Sequence, residues 1–471
     1  MRKISYTTAI ARSRRFLGSA FGIALALAAG PADPAFARDA EAHNARLLGH
    51  HDLGGRSAYQ PWIKKQNGRY IAYVGHHGGS GGTSLLDVTD PKKPVYLAHV
   101  PARGGAQMVQ ACRGDELPNA DKNKTYMLRT NGTRTHEIWD VTDPAKPAFL
   151  VTVIGGLSET HKNWWECDTG IAYLVADLGP DGWNTNRGMK IYDLSDPAAP
   201  KFIRNFGLAG SEPGGGGGGD ASARNHESTS HGGKVFVAYG TGRYGAVQIL
   251  DRQKLLDVES LKDPRTPTRA ELLAPQIGRL DMPSFWGGHT AWPLLNLTIP
   301  GYEFYGAGNP RDFVVLVSET NDNGCREPMH HMAWFLDITE PSKPFPVSNF
   351  QVPEATGNFC RRGGRFGTHS VSWAVDTPLY GKIAAFAYFN AGMRAVDVRD
   401  PYRPKEVAYY IPAPNANTAR RCDSRNGCKT VAQTNNVEID GRGLIYLADR
   451  AGGGLHIVEL TGAAARIVTQ E

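Results

Sequence analysis

Leu86-Asp87-Val88-Thr89-Asp90-Pro91-Lys92-Lys93-Pro94 recurs as Trp139-Asp140-Val141-Thr142-Asp143-Pro144-Ala145-Lys146-Pro147 and again as Tyr192-Asp193-Leu194-Ser195-Asp196-Pro197-Ala198-Ala199-Pro200. Aligned on the first Asp, the phrase returns at Asp251, Asp337 and Asp397, with Glu459 as a diverged last member; the intervals are 53, 53, 58, 86, 60 and 62 residues. Each interval carries one strong β run, namely Tyr70 to Val74, Tyr126 to Leu128, Ile171 to Val175, Val235 to Tyr239, Phe313 to Val317, Ile383 to Tyr388 and Leu444 to Leu447. These runs hold the branched and aromatic residues that suit a pleated surface. Within the phrase, the Asp side chain caps a turn and the following Pro presets its φ. The second Pro opens an outer strand, a place where a missing N–H costs nothing because the edge faces solvent. The pattern predicts an all-β fold: a seven-bladed β-propeller of four-stranded blades, in preference to a closed up-and-down barrel.

The repeat resembles that of the LVIVD-repeat family of bacterial β-propeller proteins, whose units carry a strand ending in a V-D-V-S-D-P-like phrase followed by Pro two or three residues on. The resemblance covers nearly all of residues 38–471, which it implies form a single propeller domain, and it speaks to fold rather than to activity. Asp251 departs from it, because Arg252-Gln253-Lys254-Leu255-Leu256 replaces the turn, and the 86-residue interval must carry a long loop. The last unit lacks a clear fourth strand. Arg46-Leu47-Leu48-Gly49-His50-His51-Asp52-Leu53 precedes the first complete unit and is expected to supply that strand and close the ring.

The 55 Gly and 30 Pro among 471 residues are spread along the chain as turn punctuation. A formal charge of +6, from 52 basic against 46 acidic residues, is a mild excess. No stretch combines a long basic run with interleaved aromatics, so nucleic acid is not an expected partner. Residues 1–37 read as an export signal: Arg12-Ser13-Arg14-Arg15, an apolar run from Phe16 to Ala29, and the small-x-small site Ala35-Phe36-Ala37. The Arg14-Arg15 pair also admits a twin-arginine reading. A periplasmic or secreted protein is expected, not a membrane-embedded one. In such a compartment six cysteines indicate disulfides, with Cys422–Cys428, Cys112–Cys167 and Cys325–Cys360 as the expected pairs. A metal-thiolate site has no C-x-x-C spacing to support it.

Counting back from the turns to the first strand of each unit aligns Gln60, Gln107, His161, His226, His289, His369 and Asn435. In a propeller these strands line the central channel, so four of the chain's 15 His converge from successive units. Imidazole suits Zn, Cu, Fe and Ni. The register therefore predicts a transition-metal site of His161, His226, His289 and His369, with Fe or Cu favoured and Zn allowed. Glu166, Glu227 and Glu438 follow nearby; Glu166 or Glu227 is the expected catalytic carboxylate, orienting a ligand or moving a proton. The same register is compatible with polar groups satisfied by water or backbone at a solvated channel end. A ring of His on propeller blades resembles the site logic of carotenoid-cleaving dioxygenases in architecture alone.

Around this centre, Gln107 and Asn435 at the same level, Trp183 and Trp286 in polar or Gly-rich loops, and Arg365 just before His369 are candidate contacts for a small-molecule substrate. Other motifs carry less. His76-His77 and His330-His331 read as loop pairs, Gly214 to Gly219 lacks the Lys and Ser/Thr of a phosphate loop, and Glu319-Thr320-Asn321-Asp322-Asn323-Gly324 matches a calcium loop in composition only. Two functions remain open: a metal-dependent enzyme, an oxidoreductase of the oxygenase or oxidase kind or, on the same ligands, a hydrolase or lyase, and a non-catalytic module presenting its loops to a protein or polysaccharide partner in the periplasm or at the cell surface.

Overall fold

In a computed structural model of the chain, the repeated Asp closes the third strand of a four-stranded antiparallel sheet. The structure describes residues 39–79, 81–216, 224–302, 308–327 and 331–469; the expected export signal lies outside them, and the described residues pack as one unit. The phrase behaves as two successive Asx turns. Asp87 Oδ1 accepts from the Thr89 amide at 2.9 Å and Asp90 Oδ1 from the Lys92 amide at 3.0 Å, and the same pair of bonds recurs at Asp140 and Asp143 and at Asp193 and Asp196. The second Pro then opens the outer strand, as Pro94 does before Val95–Pro101 and Pro147 before Ala148–Ile154. Asp251 instead caps the helix Arg252–Leu256 by accepting from the Lys254 amide. That helix and Arg269–Leu273 occupy part of the long interval, ahead of the outer strand Gln276–Asp281.

Each sheet follows chain order. One runs Val109–Arg113, Thr125–Asn131, Thr135–Asp140 and Ala148–Ile154, and the next Thr160–Trp165, Ile171–Ala176, Gly188–Asp193 and Lys201–Phe206. The β runs read from the sequence are the second strands throughout, buried on both faces between neighbouring sheets. Phe236, Ala238, Val247 and Ile249, for example, pack against Ala291, Val314, Leu316 and Leu336 of the following sheet. At the end of the chain, Thr434–Ile439, Ile445–Asp449 and Gly454–Leu460 make three strands, and Ala45–His51 pairs antiparallel with the last of them, setting Arg46 opposite Glu459. The N-terminal segment supplies the missing strand, as expected. Glu41–His43 adds a further pairing, to the outer strand Lys405–Ile411 of the preceding sheet, and so ties the N-terminus to two sheets.

The first strands touch one another in order: Ala58–Gln66, Val109–Arg113, Thr160–Trp165, Asn225–His231, Thr290–Leu297, Phe366–Val371 and Thr434–Ile439, with the last against the first. This closed cycle of inner strands is the organisation of a propeller. All six cysteines are paired, as Cys112–Cys167, Cys325–Cys360 and Cys422–Cys428, which fits a chain that folds in an oxidising compartment. Among the described residues no helix is long and apolar enough to cross a membrane.

Candidate metal centre at the head of the inner strands

Strand pairing fixes which inner-strand residues share a level. Counted from the Asp that ends each third strand, across the second strand to the first, that level holds Tyr59, Gln107, His161, His226, His289, His369 and Asn435. The four His occupy it as expected. In the first sheet the occupant is Tyr59, one residue earlier than the expected Gln60. The ladders slip here: the pairing shifts between Ala58 and Pro61, Thr160 and Asn163, Asn225 and Glu227, Phe366 and Ser370, and Thr434 and Asn436. A bulge re-aims a side chain that a regular strand would point along the sheet normal. Here it falls at or beside the channel-facing residue.

The imidazoles form a chain. Ring centroids lie 4.4 Å apart for His161 and His226, 3.7 Å for His226 and His289, and 4.3 Å for His289 and His369, with Tyr59 edge-on to both end members. His161 Nε2 and His226 Nε2 are 2.7 Å apart. His289 Nε2 and His369 Nε2 are buried without a hydrogen-bond partner and face the Glu319 carboxylate at 3.9 and 3.7 Å. Burial, reinforced by the nearby Lys162 ammonium and other cations, holds all four well below the usual imidazole value. They are neutral at pH 7, each with a lone pair, and cannot all be satisfied by one another.

Two carboxylates flank the rings. Glu227 is 1 % exposed with its Oε2 4.0 Å from His226 Nδ1. Neither of its oxygens accepts a hydrogen bond of good geometry; burial pushes it up to about 8, opposed by Lys162 and by the nearby Thr290 hydroxyl, Ala291 amide and Trp373 indole. Glu319, at the end of the Arg311–Val317 strand, accepts from Arg365 Nη1 at 2.8 Å. His226, Glu227 and His289 form one group whose ligand atoms lie within 4.8 Å of one another; His289, Glu319 and His369 form another. The next level of the channel holds Lys162, fully buried, donating to Gln60 Oε1 at 3.2 Å with its ammonium 4.9 Å from the Tyr59 ring centre and 4.7 Å from that of Trp373. Burial lowers it to about 8. Tyr59, Lys162 and Glu319 are additions to the residues read from the sequence. The pattern held a signal for Tyr59, at the aligned position, and none for Glu319, which arrives from a second strand.

The other expected contacts separate. Gln107 is half-buried and Asn435 buried at the His level, where Asn435 bonds Asn436 at 2.6 Å. Arg365 is beside the centre but held by Glu319 and the Thr320 carbonyl. Glu166 is not part of the cluster: Arg252 holds both its oxygens at 2.6 to 3.1 Å and Tyr173 donates to it at 2.9 Å. Trp183 is no pocket wall either, since its loop folds inward and its indole donates to the Arg265 carbonyl at 2.9 Å. Trp286 is buried edge-on against His331 and Trp334. His76 and His77 end a strand and are not loop residues; His76 bonds the Ser84 hydroxyl and His77 stacks on Tyr59. Asp322 of the calcium-like loop binds the Arg326 guanidinium at 2.6 Å.

Two cavities open on the channel region. The smaller, about 400 Å³, reaches His226 between Arg187, Arg224 and Arg243. The larger, about 920 Å³, lies where the inner strands end, lined by Trp62, Lys64, Trp164, Glu166, Arg252 and Glu438 among others, and none of the four His borders it.

No family model matches the chain, and no curated protein does. Among solved structures, the crystal structure of RRP9 WD40 repeats aligns with 88 % of this chain and 97 % of its own, at 11 % identity and a TM-score of 0.47.

Proposed function

We propose that the chain is an exported seven-bladed propeller of the LVIVD-repeat type that holds one transition-metal ion on His161, His226, His289 and His369. The observation that carries this reading is the convergence of four buried imidazoles, with His161 Nε2 and His226 Nε2 paired with each other at 2.7 Å and with His289 Nε2 and His369 Nε2 lacking any hydrogen-bond partner. Nitrogens that share one ion at about 2.1 Å stand roughly 3 Å apart, close to the spacing of His161 and His226, and His289 lies within 4.8 Å of ligand atoms on both sides, with His226 and Glu227 in one group and His369 and Glu319 in the other. An all-imidazole donor set suits Fe, Cu or Zn, and every thiol of the chain is consumed in a disulfide. Glu227 stands 4.0 Å from Nδ1 of His226, on the opposite edge of that ring from the Nε2 that would take the ion. Glu319 supplies negative charge beside His289 and His369. When bound, a redox-active ion would supply oxidase or oxygenase chemistry; the protein's part is to hold four buried, neutral imidazoles in one converging row.

A second reading has its own observation. Tyr244 and Phe285, 63 % and 66 % exposed, lie on loops joined by the Tyr244 amide to Ser284 carbonyl bond, and they give the propeller an apolar contact surface for a protein partner. Metal analysis of the mature protein separates the two. Near-stoichiometric Fe, Cu or Zn, lost in the His226→Ala, His289→Ala double variant while the circular dichroism spectrum is retained, is the expected result. A protein that takes up none of the three ions on reconstitution leaves only the binding module.

A further inference from the structure

The mouth over the His cluster is lined mainly by positive charge. Three guanidinium groups, from Arg187, Arg224 and Arg243, wall the 400 Å³ cavity that has His226 at its inner end, and the one carboxylate lining it is Glu327. Glu327 is turned to His331 Nε2 at 3.4 Å and to the Asn321 amide. The cations are under-neutralised. Arg187 meets Glu159 through Nη2 at 3.0 Å, while its Nε is buried with no hydrogen-bond partner. Arg224 spends Nε and Nη2 on the neutral Asn186 amide oxygen, at 2.9 and 2.6 Å. Among the described residues Arg243 has no carboxylate within ion-pair distance. By comparison, Arg252, Arg365 and Arg362 each hold a carboxylate at 2.6 to 2.8 Å.

We infer that this cavity is an oxyanion pocket that takes a small molecule bearing a carboxylate, sulfonate or phosphate, and presents it to the His centre. Guanidinium forks match such groups in geometry as well as charge, and the volume suits a compact ligand. A low-dielectric cleft lined by one charge also concentrates the opposite one. As the substrate pocket of a metal centre the inference rests on the preceding proposal; as an anion site it does not, because none of its three cations is a metal ligand.

The test is calorimetric titration of the mature protein, both metal-free and metal-loaded, with benzoate and with inorganic sulfate. Saturable one-to-one binding is expected to at least one probe in both preparations, and the preferred probe tells an organic carboxylate from a tetrahedral oxyanion. Arg187→Gln with Arg224→Gln should weaken it by about tenfold or more, without changing metal stoichiometry. Arg243→Gln, an exposed substitution that leaves the fold untouched, should weaken it by about threefold. Arg113→Gln, on the surface away from this mouth, should leave it unchanged. Absence of binding in both preparations, or equal loss in Arg113→Gln, overturns the pocket while leaving the metal proposal standing. Anion binding by a protein that takes no metal leaves the pocket standing and removes the centre.

Discussion

The two ends of the same inner strands are built on opposite principles. At the head, His289 Nε2, His369 Nε2 and both oxygens of Glu227 are buried with no hydrogen-bond partner, and the adjoining cavity is the smaller one. At the foot, beside a cavity more than twice as large, the buried and half-buried carboxylates are paired: Glu166 by Arg252, Tyr173 and Thr169, Glu116 by Lys64, and Asp440 by Arg442 and Tyr446. Cavity size and chemical readiness therefore point to different places. Buried polar groups are normally hydrogen bonded, so a concentration of exceptions marks where something else is meant to bind. By that criterion the head of the strands is the site and the foot is a well-knit support.

The sharpest way to break this contrast is to damage the foot. Glu166→Ala leaves Arg252 and the Tyr173 hydroxyl facing an emptied, largely buried position, which should cost about 3 to 5 kcal/mol of stability. Metal content should not change. Urea denaturation read beside metal analysis checks both halves, and a metal loss at full stability would move Glu166 back into the centre.

That residue also shows where the sequence stopped being readable. Glu166 lies five positions after His161, and at about 3.3 Å per residue an extended strand carries it roughly 16 Å away, to the other end of the channel. Spacing along a strand had to be converted to distance before it could mean proximity. Turn chemistry was legible because it is local: each Asp acts on an amide two residues ahead, so the repeat phrase announced itself. The His register was legible for the same reason, one step removed. Bulges broke it by one residue in the first sheet, putting Tyr59 where Gln60 was expected. Glu319 was legible only as part of a calcium-like loop, since its role depends on a second strand ending beside the first strand of its own unit and that of the next. Trp183 and Trp286 were misread because Gly-rich surroundings suggest open loops, whereas the Arg265 carbonyl draws one indole inward and His331 and Trp334 enclose the other.

Glu438 tests whether saturation at the foot holds when burial opposes it. Its carboxylate accepts from the Ser372 hydroxyl and from the Trp373, Ala374 and Ile439 amides, yet burial outweighs these four donors and pushes it from 4.5 up to about 7. Between those values the folded state keeps a proton that the unfolded chain has released, so stability is greatest below pH 4.5 and falls as pH rises to 7. The full change is about 3 kcal/mol at 1.4 kcal/mol per unit. Glu438→Gln imitates the protonated form and removes the slope, so the stability difference between variant and parent should shift by that amount in the variant's favour across the window. Urea midpoints from pH 4 to pH 8 measure it. A flat difference would mean that the four donors win and that the carboxyl is ionised throughout.

The smallest effect belongs to the feature that repeats most. Asp193 ends a third strand and accepts from the Ser195 amide at 2.8 Å, a contact in the turn between the third and fourth strands of its sheet. Asp193→Ala removes one such bond from a half-buried position, a loss of about 1 kcal/mol, while the Gly170 carbonyl that receives the Leu194 amide still anchors the turn. Neither metal content nor anion binding should respond, because the outer turn and the channel are separated by the full width of a sheet. Thermal unfolding with both binding assays provides the check. A loss of metal in this variant would mean that the turns tension the inner strands, so that the phrase which reports the fold would also be setting the geometry of the site.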